Sequence, residues 1–139
     1  MPALSGAAQT VLPAGCVAAT VKILAVDDED AIRCVMSLIF EAPRYEMASA
    51  VNGAHALSKI DAGATDYDVI IVDQKMPQFT GLEFVQRIRK RGIRAKVIVL
   101  SAHLTPEIRQ AYQKTGVSLM LDKPFEIEEI RAAVDRLAA

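Results

Sequence analysis

The sequence predicts an α/β fold: one parallel sheet of five strands with helices on both faces. Three observations carry this reading. Four short strand-like runs, Ile23-Leu24-Ala25-Val26, Val69-Ile70-Ile71-Val72, Val97-Ile98-Val99-Leu100 and Ser118-Leu119-Met120-Leu121, are bounded by polar or Pro signals, as strands buried on both faces are. Segments with apolar residues at helical spacing separate them. Each run also ends in polar chemistry, namely Asp27-Asp28, Asp73, Ser101 and Asp122-Lys123-Pro124. Parallel α/β sheets place their ligands just beyond such strand ends.

The first strand leads into a helix in which Ile32, Val35, Met36, Ile39 and Phe40 recur at helical spacing. Glu29 and Asp30 suit its N-terminus, where anions meet the helix dipole, and Pro43 closes it. Glu46 to Ala50 reads as a weak second strand. Asn52-Gly53 turns the chain into a helix carrying Ala54, Leu57 and Ile60, which Gly63 ends. After the strand before Asp73, Thr80 is placed to cap a helix with Leu82, Phe84, Val85 and Ile88 on one broad face, ended by Gly92. After the strand before Ser101, Thr105-Pro106 supplies an N-cap and a Pro at the first helical position. Ile108, Ala111 and Tyr112 line that helix, and Gly116 stops it. After the last strand, Ile127, Ile130, Val134 and Leu137 mark a final helix on one stripe.

Strict alternation of strands and helices implies right-handed crossovers. The natural strand order is the flavodoxin-like 2-1-3-4-5, whose ligand crevice lies beside the first and third strands. Those strands carry Asp27-Asp28 and Asp73.

A length of 139 residues suits one domain, and 52% hydrophobic with 24% charged residues suffices for a core. The net charge of −1 offers no electrostatic footprint for direct nucleic-acid binding. Cys16 and Cys34 show neither ligand spacing nor a disulfide framework, which fits a reduced cytoplasm. No apolar run is long enough to span a bilayer, so no membrane association is expected. Residues 1–21 carry no charged side chain and are expected to form a flexible N-terminal extension to a folded domain over 22–139. Leu12-Pro13-Ala14-Gly15-Cys16 faintly resembles a lipoprotein cleavage site, but Pro13 and the missing basic residues argue against one. The final helix runs to the end of the sequence, so no second folded domain is expected after it.

Three carboxylates at close range raise one another's pKa unless a cation intervenes. An all-oxygen cluster suits a hard divalent cation, and Mg²⁺ commonly joins one or two carboxylates to phosphate oxygens. Neither a GxxxxGK phosphate loop nor a GxGxxG fingerprint is present, so the phosphoryl group must arrive from elsewhere. Asp73 is then the candidate acceptor, by way of an aspartyl phosphate. Lys123 can offset phosphoryl charge and Ser101 can donate a hydrogen bond to it. Each residue alone has a plainer reading as a cap, a turn or a solvated side chain. Their convergence at four strand ends outweighs those readings.

At these residues the chain resembles the response-regulator receiver domains of bacterial two-component systems, in the single-domain, chemotaxis-regulator-like form. The matching segments are Ile23 through Glu29, Val69 through Pro77 with Gly81-Leu82-Glu83, Val97 through Ala102, and Asp122-Lys123-Pro124-Phe125. The resemblance covers about residues 22 to 138. It implies that Asp73 accepts phosphate from a sensor histidine kinase or a phosphotransfer protein. It implies that Asp28, Asp73 and the backbone carbonyl of Lys75 hold Mg²⁺, with Asp27 reaching it through water. Ser101 and Lys123 would bind the phosphoryl oxygens. Ser101 and a following aromatic would then switch the face of the fourth helix, fifth strand and fifth helix toward a downstream protein, the same face through which a homodimer would form. Such a domain is no enzyme in the usual sense; it assists its own phosphorylation and dephosphorylation.

The chain departs from that pattern where Met120 stands in place of a Tyr or Phe, which puts a rotating aromatic switch in doubt because Met has no one preferred pose. Thr80 precedes Gly81 where an acidic residue is frequent. Lys75 and His103 occupy variable positions suited to tuning attack of water on the phosphoryl group. A phosphatase or mutase with an aspartyl nucleophile is disfavoured, because Lys75 stands where its general acid Asp would be. The intact acidic pocket argues against a phosphate-independent interaction module. A receiver cut from a longer regulator or hybrid kinase stays open.

Overall fold

The computed structural model describes residues 20–63 and 66–139. Its strands are β1 (Val21–Val26), β2 (Tyr45–Ala50), β3 (Val69–Asp73), β4 (Lys96–Ser101) and β5 (Leu119–Asp122). Between and after them run α1 (Asp30–Ile39), α2 (Gly53–Asp61), α3 (Gly81–Lys90), α4 (Pro106–Lys114) and α5 (Ile127–Ala138). The sheet order is β2-β1-β3-β4-β5 with every pair parallel, which is the expected 2-1-3-4-5. The expected N-terminal extension lies outside the described residues as far as residue 19, and β1 is already under way at Val21.

Alternation along the strands splits the core in two. Leu24, Val26, Ile70, Val72, Val97 and Val99 face the layer of α2, α3 and α4. Ile23, Ala25, Val69, Ile71, Ile98 and Leu100 face α1 and α5. All five residues of β3 are buried, as the apolar run predicted. Polar groups fix both ends of that strand. The Lys22 N–H donates to the Asp68 carboxylate at 2.9 Å. The Asp68 N–H donates to the Lys22 carbonyl at 2.8 Å, and at the other end the Gln74 N–H donates to the Leu100 carbonyl at 3.1 Å.

The helix starts follow the capping logic. Thr80 accepts from the Glu83 N–H at 3.3 Å while Glu83 accepts from the Thr80 N–H at 2.8 Å, a reciprocal capping box. Thr105 accepts from the Ile108 N–H at 3.2 Å ahead of Pro106. Asn52-Gly53 is more than a turn: Asn52 is the N-cap of α2, accepting from the His55 N–H at 2.7 Å. Gly92 and Gly116 follow α3 and α4 with φ of 78° and 76°, the left-handed backbone that ends a helix cheaply only at glycine.

Two apolar assignments shift. Ile127 is 49% exposed, because it opens α5 at the rim of the sheet, and the buried stripe runs through Ile130, Ala133 and Val134. On α2 the buried positions are Gly53, Ala56, Leu57 and Ile60, with Ala54 only half-buried. At the edge of the sheet opposite the strand C-termini, the Arg89 guanidinium donates to the carbonyls of Ile93, Ala95 and Thr115 at 2.9 to 3.0 Å, binding two loops together. Among the described residues no helix is long and apolar enough to cross a membrane.

Candidate functional site

β1 and β3 are neighbours, with Val26 opposite Val72. Asp27, just past β1, and Asp73, the last residue of β3, are therefore forced together at one sheet edge. Asp27 and Asp73 are buried and Asp28 is exposed, and one carboxylate oxygen of each lies within 4.8 Å of the others. The bend after β1 is fixed locally: Asp27 accepts from the Glu29 N–H at 2.9 Å, and the Arg33 guanidinium donates to the Asp27 carbonyl at 2.6 Å.

Lys123 enters from the end of β5, where its N–H donates to the Ser101 carbonyl at 2.9 Å. Its ammonium lies 3.1 Å from Asp73, 3.4 Å from Asp27 and 3.3 Å from Glu29. Burial raises the Asp73 carboxyl pKa to about 6, the Asp27 charge adds to this, and Lys123 pulls the other way. Burial likewise raises Asp27, against its hydrogen bond from Glu29 and the charge of Lys123. For Lys123, burial works against the charged form, but the carboxylates of Asp27 and Asp73 outweigh it and the ammonium is held above its ordinary value. The site thus holds two carboxylates that burial disfavours in their charged form, with Lys123 only partly offsetting that cost.

Ser101 is buried at the end of β4, yet its hydroxyl is turned to its own loop. It donates to the His103 carbonyl at 3.0 Å and accepts from the His103 N–H at 3.1 Å. Lys75, Ser101, His103, Asp28, Asp73 and Lys123 all line one open cleft of about 570 Å³. Met120 sits in register with Val99 and is packed, half-buried, against the α2–α4 side of the core.

Asp27, Asp28, Asp73, Lys75, Ser101 and Lys123 thus lie together at the strand ends, whereas Met120 sits within β5 against the core. Three further residues join them. Glu29 shares Lys123 with the two buried aspartates. Gln74 is buried directly after Asp73, and its side-chain oxygen accepts from the Leu82 N–H at 3.1 Å and from the Tyr112 hydroxyl. Gln74 lies between the charged Asp73 and Lys75, so nothing local in the sequence marked it as buried or named its partner. The donor set is all oxygen and anionic, which fits a hard divalent cation such as Mg²⁺.

Residues 23–135 match the family model described as the response regulator receiver domain. The chain is 31% identical over 115 residues to sporulation initiation phosphotransferase F of Bacillus subtilis, covering 83% of this chain and 91% of that protein. It is 28% identical over 118 residues to transcriptional regulatory protein TcrA of Mycobacterium tuberculosis, covering 85% of this chain but only 46% of TcrA. Among solved structures, chemotaxis protein CheY4 of Vibrio cholerae superposes with a TM-score of 0.77 at 34% identity, over 86% of this chain and 99% of that one. Response regulator TrrA of Thermotoga maritima, in complex with Mg²⁺ and beryllium fluoride, superposes with a TM-score of 0.72 at 34% identity, over 85% and 99%. With aspartates at the ends of β1 and β3 and a lysine at the end of β5, the chain belongs to the response regulator receiver domains, the aspartate-phosphorylated switches of two-component signalling.

Proposed function

We propose that Asp73 is the phosphoacceptor and that the receiver runs from the start of β1 at Val21 to residue 139. The observation that carries this is the Asp73 carboxylate itself: buried, beside Asp27 and Asp28, and 3.1 Å from the Lys123 ammonium. An Asp73 oxygen attacks the phosphorus of a phosphohistidine on a sensor histidine kinase or phosphotransfer protein. The P–N bond breaks, its electron pair stays on the imidazole, and the ring nitrogen takes up a proton. Lys123 pairs with the phosphoryl oxygens as its hold on Asp73 is exchanged. Ser101 leaves His103 and donates to a phosphoryl oxygen, carrying the loop into α4 with it.

Asp27, Asp28, Asp73 and the Lys75 backbone carbonyl would hold Mg²⁺. When bound, the ion offsets carboxylate repulsion and phosphoryl charge. The domain assists its own phosphorylation and dephosphorylation; Lys75 and His103 line the cleft where water attacks. The α4–β5–α5 face then changes its affinity for a downstream protein or for a second copy of the chain, in the cytoplasm.

The test is incubation with acetyl phosphate and Mg²⁺, followed by intact mass. Wild type should gain one phosphate and Asp73→Asn none. If Asp73→Asn gains phosphate at wild-type yield, Asp73 is not the acceptor.

A further inference from the structure

Tyr112 is fully buried on α4, at a position where an apolar residue would fill the same core. Its hydroxyl does not idle there. It donates to the Gln74 side-chain oxygen, joining α4 to a residue 38 positions earlier and next to Asp73. Burial and the nearby Asp73 charge both push the Tyr112 pKa up, so it remains a donor. The same Gln74 oxygen accepts from the Leu82 N–H at 3.1 Å, which fills both its lone pairs. The Gln74 main chain donates to Leu100 at 3.1 Å and accepts from the Gly81 N–H at 2.9 Å. Gln74 therefore touches β4, the start of α3, and α4 at once.

The packing around this hub has no slack. A Cβ at Gly81 would lie 2.4 Å from the Asp73 carbonyl oxygen and 2.8 Å from the Tyr112 hydroxyl. Met120 packs against the same cluster but offers no directional contact. At the other end of α4, Thr105 caps the helix only two residues beyond His103, to which Ser101 is bonded. Any turn of Ser101 toward Asp73 pulls on that end of α4 while Tyr112 holds the other.

We propose that Tyr112 and Gln74 are a positioning pair that pins α4 to the Asp73 segment, and that phosphoryl binding at Asp73 works against this hydrogen bond. The proposal rests on Asp73 as phosphoacceptor and adds the element through which α4 reports on it. Directional coupling then comes from α4 itself, where Met120 on β5 supplies none.

Beryllium fluoride with Mg²⁺, a phosphoryl mimic, is titrated into the full chain and followed by NMR. Tyr112→Phe removes one oxygen and Gln74→Met removes its acceptor. Tyr112→Phe should tighten the apparent affinity about fivefold, the weight of one net hydrogen bond; Gln74→Met, which also frees the Leu82 N–H, should tighten it at least as much, and the double variant should do no more than Gln74→Met alone. Hydrogen exchange over residues 106–114 should rise in each single variant before the mimic is added. Tyr45→Phe, which removes a hydroxyl bonded to Asp135 at 2.6 Å and remote in sequence from this pair, should leave the affinity unchanged. If Gln74→Met does not fold, Tyr112→Phe decides alone. Unchanged affinity in Tyr112→Phe, or additive effects in the double variant, reduces the pair to core packing. A wild type that takes up no mimic overturns the Asp73 reading, and this proposal with it.

Discussion

Replacing Asp73 by Asn should make the metal-free protein more stable at neutral pH. In the folded chain burial, helped by the Asp27 charge, moves the Asp73 carboxyl from 3.8 to about 6. Between those values the native state holds a proton that the unfolded chain has released, so this group's contribution to stability falls as pH rises through the window. Below it, both states are protonated and the effect vanishes. Above it, the cost is complete. Roughly two pKa units at about 1.4 kcal/mol each set an upper bound near ~3 kcal/mol at pH 7. Asn keeps the shape and loses the charge, so Asp73→Asn should gain about 2 kcal/mol, or about 1 M in the urea midpoint for a domain of this size. The assay is urea unfolding by circular dichroism in chelator at pH 7.5 and pH 4.5. The gain should be complete at the higher pH and about a third as large at the lower, where the window is only partly crossed. Equal stability at pH 7.5, or a gain that ignores pH, would mean that the Asp73 carboxyl is not strained by its surroundings.

Three further outcomes follow from the same geometry. Asp28→Asn should weaken Mg²⁺-induced thermal stabilisation at least tenfold in apparent affinity and nearly abolish phosphorylation by acetyl phosphate, because it removes one of three carboxylates within 4.8 Å; phosphorylation that survives chelation would exclude the ion's role. Met120→Tyr should enlarge the difference in hydrogen exchange over residues 105–121 between free and beryllium-fluoride-bound protein, since Met gives the switch region several packings where an aromatic gives two; an unchanged difference counts against a loose switch. Thr80→Ala should cost about 1 kcal/mol by loss of the capping box, read from the unfolding midpoint.

What could be read in the sequence was what short-range pattern encodes. The apolar run before Asp73 showed β3 buried on both faces, and Thr80 and Thr105-Pro106 marked two helix starts to the residue. The aspartates, Ser101 and Lys123 were legible because the strand ends of a parallel sheet share one edge. The partners of side chains were not. Helical spacing turns Tyr112 inward but is silent on what its hydroxyl meets 38 residues away. Glu29 looked like a helix-start acid, and only the fold brings Lys123 to 3.3 Å from it. The inward turn of the Ser101 hydroxyl to His103 is a rotamer, and composition does not choose rotamers.

β3 has a consequence for how this chain tolerates change. A strand apolar on one face is held in register by its own pattern, since a slip of one residue would put that face in water. Val69, Ile70, Ile71 and Val72 are apolar on both faces, so a slip among them would leave the core almost equally greasy. Register is instead written at the ends, by the Asp68 carboxylate on the Lys22 N–H and by the Gln74 side chain on the Leu82 N–H. The middle of β3 is therefore free to drift among Val, Ile and Leu across generations. A single-residue insertion or deletion there would spare the core and still carry Asp73 to the opposite face of the sheet, leaving a protein that folds and no longer signals.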